Sequence, residues 1–569
     1  MKNSKTHLAV LLLSTLGLFT GAYGQVIPRG DAATLNQVRP TQNQPATSGP
    51  MVQEQETVLY TFTGLADGGF PGGLIRDGAG NLYGTTWTGT GGGVVFKLDS
   101  MGNETVLHTF TGPPDGATYY ESAGLVTDND GNLYGTTDGG GSASGAAGTV
   151  FKLAPPAQPG GAWTETVLYS FTGGTDGNSP QAGLVRDDKG NLYGTTPYGG
   201  EFCSSPVNYG GCGVVFMVDR AGKETVLYNF CPNGQSVYGS CPDGLYPTAA
   251  LIQDAAGNLY STTQLGGAYG QGTVFKLAPP AQPGGAWTET VLHSFAGGTD
   301  GGTSNGESNA NVIRDSDGNL YGTTDGGGTW DAGVVFKLAP PAQEGGTWTE
   351  TVLHTFTGGT DGGIPLAGLI LDVAGNLYGT TLFGGLDSPY CQFYCGVVFK
   401  LDTAGNETAL YSFTGFADGE NPASGLVQDT AGNLYGTTYS GGDFTQCNGF
   451  GGCGVVFKLA PAGVSVFPTS LNFGNVWLGH RAKQVVTLEN QGIDSVEIGP
   501  ITFTVTTGDA SQFSLGHVCP ASIGAGKSCT IAVIFTPDAA GTDAATLNIV
   551  TSAPGSPIEV PITAAGKEQ

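Results

Sequence analysis

Basic residues are scarce in this chain. Its 569 residues hold 20 Lys and Arg against 47 Asp and Glu, a formal net charge of −27. A surface of that sign repels phosphate backbones and anionic headgroups, so neither nucleic acid nor a membrane surface is an expected partner. Long apolar runs are missing too, apart from one near the N-terminus. No later segment approaches the roughly 20 residues that cross a bilayer as a helix. Histidine is rare, with 6 copies, and the repeated part of the chain offers no obvious general base. Cysteine is limited to 10 copies, all in close sequence pairs, so a free thiol nucleophile is not expected either.

Glycine and aromatics are plentiful: 99 Gly, 27 Phe and 22 Tyr. That mixture suits many short strands joined by tight turns better than disorder. The aromatic content and uneven spacing exclude collagen.

The N-terminus reads as a secretory signal over residues 1–24. Lys2 and Lys5 supply the basic region, Leu8 to Phe19 the apolar stretch, and Ala22-Tyr23-Gly24 a small-x-small cleavage site before Gln25. An uncleaved helix is the alternative, but the apolar run is short for a span. No transmembrane segment is expected after cleavage. No Cys follows the cut, so a lipid anchor is not expected. Residues 25–55 are polar and rich in Gln, Pro and Thr, a flexible leader in which Arg29-Gly30-Asp31 is linker composition.

The ten cysteines pair as Cys203/Cys212, Cys231/Cys241, Cys391/Cys395, Cys447/Cys453 and Cys519/Cys529. Even number and local pairing favour disulfides in an oxidising compartment. Zinc is the rival reading. It fits less well, because the spacings form no Cys-x2-Cys knuckles and the repeat-region pairs have no His nearby.

What dominates the chain is a phrase repeated seven times. Gly-Asn-Leu-Tyr followed by Gly/Ser-Thr-Thr begins at Gly80, Gly131, Gly190, Gly257, Gly318, Gly375 and Gly432. The spacings of 51 to 67 residues match one four-stranded unit with variable loops. Three further runs accompany each copy. They are Leu-Ile/Val-x-Asp (strand a, before the Asn-Leu-Tyr strand b), Val-Val-Phe-Lys-Leu (c) and Glu-Thr-Val-Leu-Tyr-x-Phe (d). The first d run, at Glu56 to Phe62, precedes any a run, and the last repeat ends at c. This offset predicts a seven-bladed β-propeller over residues 56–460, closed by residues 56–62 against 454–459. A linear β-solenoid is the alternative and would not need the offset.

After the short linker from Ala460 to Gly463, residues 464–569 change character. Period-two runs such as Gln484 to Leu488 and Thr530 to Phe535 predict an immunoglobulin-like β-sandwich. The whole chain is thus read as all-β.

The repeated Gly-Asn-Leu-Tyr-Gly-Thr-Thr, Gly-Val-Val-Phe-Lys-Leu and Glu-Thr-Val-Leu-Tyr-Ser-Phe resemble the GloVer tandem repeat of exported bacterial proteins with varied C-terminal anchors. Ser261 departs from the pattern in the fourth copy. The resemblance implies export and display, and brings no catalytic residue. The tail is similar to the choice-of-anchor D and ASPM–SPD-2–Hydin type of immunoglobulin-like domain, through Phe467-Pro468, Leu471 to Gly474, Val485 to Asn490 and Phe535-Thr536-Pro537. That resemblance implies a scaffolding or attachment role. No sorting motif with a hydrophobic tail and basic end follows residue 560.

In a propeller the b–c and d–a loops share one face, and all four repeat-region Cys pairs fall in them. Just after Thr-Thr that face also carries Trp87, Tyr198, Phe383 and Tyr439, the expected ligand-binding residues. The alternative is that they cover neighbouring edges. An Asp-Gly recurs in each d–a loop, at Asp67, Asp115, Asp176, Asp243, Asp300, Asp361 and Asp418. A turn role is preferred over cation binding. His108, His293 and His354 replace the strand-d Tyr of other repeats and are read as structural. Trp163, Trp287 and Trp348 are read as packing beneath the longer c–d loops.

The expected function is that of a secreted, extracellular, cell-surface or periplasmic propeller that binds a glycan or surface protein. No metal or cofactor is expected. The alternatives are a polysaccharide lyase or hydrolase using carboxylates and Tyr on the same face, with Glu121, Glu201, Glu307 and Glu420 as its candidate acids, or a structural surface protein.

Overall fold

A computed structural model describes residues 54–568 apart from 119–123, 143–145, 159, 202–209, 233–240, 303–310, 344, 387, 389–394, 444, 446, 448–450, 462, 491–494, 525–526 and 554–555. The expected signal segment and almost all of the expected leader, including Arg29-Gly30-Asp31, lie outside the described residues. So do Cys203, Cys391, Glu121 and Glu307. The described residues hold strands and turns, two short 3-10 turns and no α-helix. None of them forms a helix long and apolar enough to cross a membrane.

Seven antiparallel sheets follow one another through residues 55–460, each with strands in the order a-b-c-d. The third is typical: Val185–Arg186, Leu192–Thr196, Val214–Val218 and Glu224–Asn229. Strand c of the first sheet is apolar except for one partly exposed Lys, because both of its faces are largely covered. Val94, Val95, Phe96 and Leu98 are all fully buried. In the last sheet, Val427–Gln428, Leu434–Thr437 and Val455–Ala460 are joined by an outer strand from the far end of the chain, Gln55–Thr61. Gln55 faces Ala460 and Thr61 faces Val455.

The repeated phrase has a hydrogen-bonding reason. Asp77, at the end of strand a, accepts from Asn81 through both backbone N (2.8 Å) and side chain (2.6 Å), and from the Tyr83 hydroxyl (3.1 Å). Gly80 takes the positive φ of the turn, 87°. Asp, Gly, Asn and Tyr thus form one unit, repeated for instance at Asp254, Asn258 and Tyr260. The Gly after Tyr answers to packing. A Cβ at Gly84 would stand 2.7 Å from the Phe96 ring on strand c. Ser261 fills the equivalent place in the fourth sheet, and its hydroxyl donates to the Ala249 and Ala250 carbonyls.

Strand d does not alternate strictly. In all seven sheets its pairing with c skips one residue, as between Val95↔His108 and Phe96↔Val106. This bulge at Leu107 and its equivalents re-aims the following side chains. The Phe that ends strand d then reaches the strand-c Phe of the next sheet. Seven such pairs, from Phe62–Phe96 to Phe413–Phe457, have ring centroids 5.0–5.2 Å apart and meet edge to face. They link each sheet to the following one and the seventh to the first. Strand-b threonines add polar links. Thr195 Oγ1 donates to Ala249 O at 3.1 Å, and Thr437 Oγ1 to Gly72 O at 2.9 Å, across 365 residues of chain.

Beyond the repeats, two sheets enclose a second core. One orders Val464–Phe467, Ala482–Asn490, Ser528–Phe535 and Phe513–His517. The other orders Leu471–Trp477, Ile558–Lys567, Gly541–Thr551, Val496–Thr507 and Ser522–Ile523. Val486, Ile531, Val533, Phe535, Leu547 and Val560 are fully buried between them. This is an immunoglobulin-like arrangement.

The pairing of Gln55–Thr61 with Val455–Ala460 generates a test. Removing residues 25–62 strips the outer strand from the last sheet and leaves Phe96 without its partner. We expect aggregation or a clear loss of thermal stability. A truncated protein that melts like the parent would show that this strand contributes nothing.

Candidate functional site

In six of the seven repeats small residues lead into strand a, such as Gly72-Gly73, Ala182-Gly183, Ala367-Gly368 and Ser424-Gly425, while Asn311 stands there in the fifth. Their size lets the seven strand starts approach one another. A Cβ at Gly183 would come 3.2 Å from Gly124 O. Between them lies one cavity of about 380 Å³ to which all seven repeats contribute. That is the small end of the usual range for small-molecule sites, roughly 300–1,000 Å³. Gln181, Thr248, Asn311 and Ser424 give it uncharged polar groups. Among the described lining residues there is no Asp, Glu, Lys, Arg or His.

Three aromatic rings gather at this cavity, where the first and last repeats meet. Phe70 lies 4.9 Å from Tyr439 and 5.4 Å from Trp87, and Trp87 lies 5.8 Å from Tyr439. All three line the cavity. Phe70 is 3% exposed, whereas Trp87 and Tyr439 are half-buried. Phe70 adopts φ 57° just before Pro71, and its N–H donates to Cys453 O of the last repeat at 2.8 Å. Ser179, Tyr246, Ile364 and Asn421 repeat this conformation before Pro180, Pro247, Pro365 and Pro422. The strain therefore belongs to the link between sheets.

The four aromatics expected to share one position do not form one site. Trp87 and Tyr439 directly follow Thr-Thr, whereas Tyr198 and Phe383 come one residue later. Side chains alternate along a strand, so that step sends them to the other side. Tyr198 packs against Tyr246 with centroids 5.5 Å apart. Phe383 sits opposite Gly363 in an isolated bridge. Neither lines the cavity. Phe70 was not anticipated from the sequence, although its place before a strand-a proline marks the loop.

The Asp-Gly carboxylates are engaged by their own loops. Asp67 accepts from the Tyr60 hydroxyl at 3.0 Å and from Thr63 N at 2.8 Å. Where Tyr is replaced, His108 Nε2 meets Asp115 at 3.3 Å and His293 Nε2 meets Asp300 at 3.2 Å. His354 lies 3.5 Å from Asp361. Trp163, Trp287 and Trp348 each pack against a hydrophobic cluster.

Of the carboxylates considered for catalysis, Glu201 is exposed, and its N–H donates to Asn229 Oδ1. Burial pushes Glu420 up to about 7. Neither lines the cavity. Disulfides join Cys231–Cys241, Cys447–Cys453 and Cys519–Cys529, with Cα separations of 5.1–5.5 Å. Cys212 and Cys395 are also disulfide-bonded, and their expected partners Cys203 and Cys391 lie outside the described residues. Cys212, Cys231 and Cys241 bring their sulfurs within 4.8 Å of one another, and all three are buried.

A second set of acids titrates unusually. Glu104 at the head of strand d has a buried Oε1 with no hydrogen-bond partner, as do Glu56, Glu165, Glu224, Glu289, Glu350 and Glu407. Burial, then the charge of Asp67, pushes Glu104 up to about 7. Burial and Asp361 push Glu407 to about 8. The strand-a aspartates go the other way. Asp77 is lowered by its Asn81 and Tyr83 hydrogen bonds, which outweigh burial.

The comparisons with known proteins cover both parts of the chain. The family model described as Gloeobacter/Verrucomicrobia repeat matches residues 48–243, 211–447 and 308–492. The ASPM-SPD-2-Hydin (ASH) model matches residues 458–557. No curated protein matches. Among solved structures, the ASH/PapD-like domain 7 of human CEP192 is 16% identical, covering 19% of this chain and 88% of that one, with a TM-score of 0.15. A family PL25 ulvan lyase bound to a GlcA–Rha3S saccharide is 12% identical, covering 65% of this chain and 87% of that one, with a TM-score of 0.36. Likeness at these scores carries no argument about activity.

The raised glutamates predict a pH dependence. A folded-state pKa above the unfolded value, roughly 4.3, gives stability that is complete below that value and lost as pH rises through 7–8. The melting temperature should therefore fall between about pH 5 and pH 8. Glu104→Gln should flatten that fall and raise the melting temperature at the alkaline end. A melting temperature that holds or rises across this window in the parent would refute the assignment.

Proposed function

The chain belongs to the Gloeobacter/Verrucomicrobia repeat family, and we propose that it is an exported, non-enzymatic seven-bladed β-propeller that binds a glycan or protein at the cavity face. In this reading residues 1–24 are removed on export and 25–55 are a leader. Residues 56–460 make the propeller, and 464–569 make an ASH-type immunoglobulin-like domain that tethers it to a surface or partner. The cyclic set of Phe pairs and the strand shared between the two ends of the repeat region support the propeller. The disulfides fit an oxidising, extracellular compartment.

The observation that carries the binding reading is the Phe70–Trp87–Tyr439 cluster on a cavity built by every repeat. Half-exposed aromatics on a rigid frame supply large contact area with little entropy to lose. A carboxylate- or histidine-based enzyme would need such a group within reach of the bound molecule, and the described lining residues include no Asp, Glu or His, Tyr439 being the one titratable side chain among them. Tyr198 and Phe383 stay in the reading only as support for neighbouring loops.

Trp87→Ala and Tyr439→Ala should each weaken ligand binding by roughly 1–3 kcal/mol, the cost typical of central aromatic contacts. Tyr198→Ala and Phe383→Ala should leave it within a few-fold. Equilibrium titration of each variant checks this, with thermal melting as the folding control. Equal effects at all four positions would move the site off the cavity.

A further inference from the structure

The geometry points to a neutral saccharide as the occupant of this cavity, held by its ring faces on Trp87 and Tyr439 and by its hydroxyls on the uncharged polar rim. This rests on the binding reading above and narrows it to a chemical class. Three observations carry it.

The first is the rings. Phe70 and Tyr439 are inclined by 33°, as are Trp87 and Tyr439. The buried Phe70 backs both partly exposed rings, so they form a fixed surface. The C–H faces of a pyranose are apolar and match such a surface, whereas its rim of hydroxyls requires polar partners.

The second is the rim. Gln181, Thr248, Asn311 and Ser424 carry amides and hydroxyls that both donate and accept, which suits hydroxyl groups. Asn311 is oriented in advance, since its Oδ1 accepts from Ala250 N at 2.5 Å. Ordered polar groups at a concave, largely apolar site are what give orientation and specificity.

The third is the charge. A uronate carboxylate or a sulfate ester entering the cavity would shed water without meeting a cation, because the described lining residues hold no Lys, Arg or His. It would also approach a protein of net charge −27. The volume of about 380 Å³ suits one or two sugar rings rather than a long chain threaded through, so a chain end or a short branch is the unit recognised.

The test uses the full exported chain in calorimetric titration against two panels. One holds neutral gluco-, manno-, galacto- and xylo-oligosaccharides, and the other holds uronic and sulfated oligosaccharides of matched length. The expected result is binding of at least one neutral class, unchanged when ionic strength is raised. Trp87→Ala or Tyr439→Ala should weaken it at least about ten-fold, and Tyr439→Phe, which keeps the ring, should largely retain it. If Trp87→Ala fails to fold, Trp87→Phe and Gln181→Ala carry the comparison. Binding confined to the acidic panel yet lost with the aromatic substitutions would overturn neutrality while the cavity reading survives. Neutral binding indifferent to every substitution would overturn both. Failure of the parent to bind either panel would overturn the saccharide assignment and leave a protein ligand as the reading of the face.

Discussion

The contact between two phenylalanines, repeated seven times, is what the rest of the repeat region depends on. A short four-stranded sheet cannot bury both faces of its third strand by itself. The strand-c Phe is fully buried only because the Phe ending the previous strand d meets it edge to face at 5.0–5.2 Å. Each pair is worth about 0.5–1.5 kcal/mol beyond the area it buries. The larger effect is geometric. In six of the seven repeats a Gly on strand b leaves room for the ring, with Ser261 in its place in the fourth, and strand d bulges to deliver it. Three features of one repeat therefore follow from one packing event.

Repetition explains most of the molecule, and departures from it locate the candidate site. Around the cavity the described strand starts are uncharged and, apart from Asn311, small. Among the described residues, three aromatic rings converge there, where the first repeat meets the last. That junction joins residues more than 360 positions apart in the chain, and its tyrosine comes from one repeat while its tryptophan and phenylalanine come from another. A site of this kind has no local sequence signature. It appears only when the two ends of the array are brought together.

This is also why fold and site differed in how far they could be read. The period-two runs, the Gly-Asn turns and the unpaired first strand d led to seven four-stranded sheets, and the pairing of Gln55–Thr61 with Val455–Ala460 is the contact that offset called for. The bulge in strand d was not legible, because the run Glu-Thr-Val-Leu-Tyr reads as regular alternation in either register. The same blind spot affected the aromatics. Trp87 and Tyr198 both look like residues just past Thr-Thr, yet one step along a strand reverses the side chain. Phe70 escaped notice because a bulky residue at positive φ before proline looks like loop filler until its N–H is seen on Cys453 O.

The carboxylates show how one repeat gives like groups opposite characters. Asp77 is ringed by donors from Asn81, Ala79 and Tyr83, which favour its charge. Glu104 is half-buried beside Asp67, with one oxygen unpartnered, and its charge is disfavoured. Both arrangements recur around the repeat region, as the same donors do at Asp254 and the same burial does at Glu407. A perturbed carboxyl in a cleft is ordinarily a pointer to chemistry. Here its repetition argues the reverse, since a catalytic acid needs one partner and one substrate pose, and seven equivalent glutamates offer neither. The shifts belong to the packing between repeats. What remains particular to one place is the aromatic junction at the cavity, where Phe70, Trp87 and Tyr439 meet.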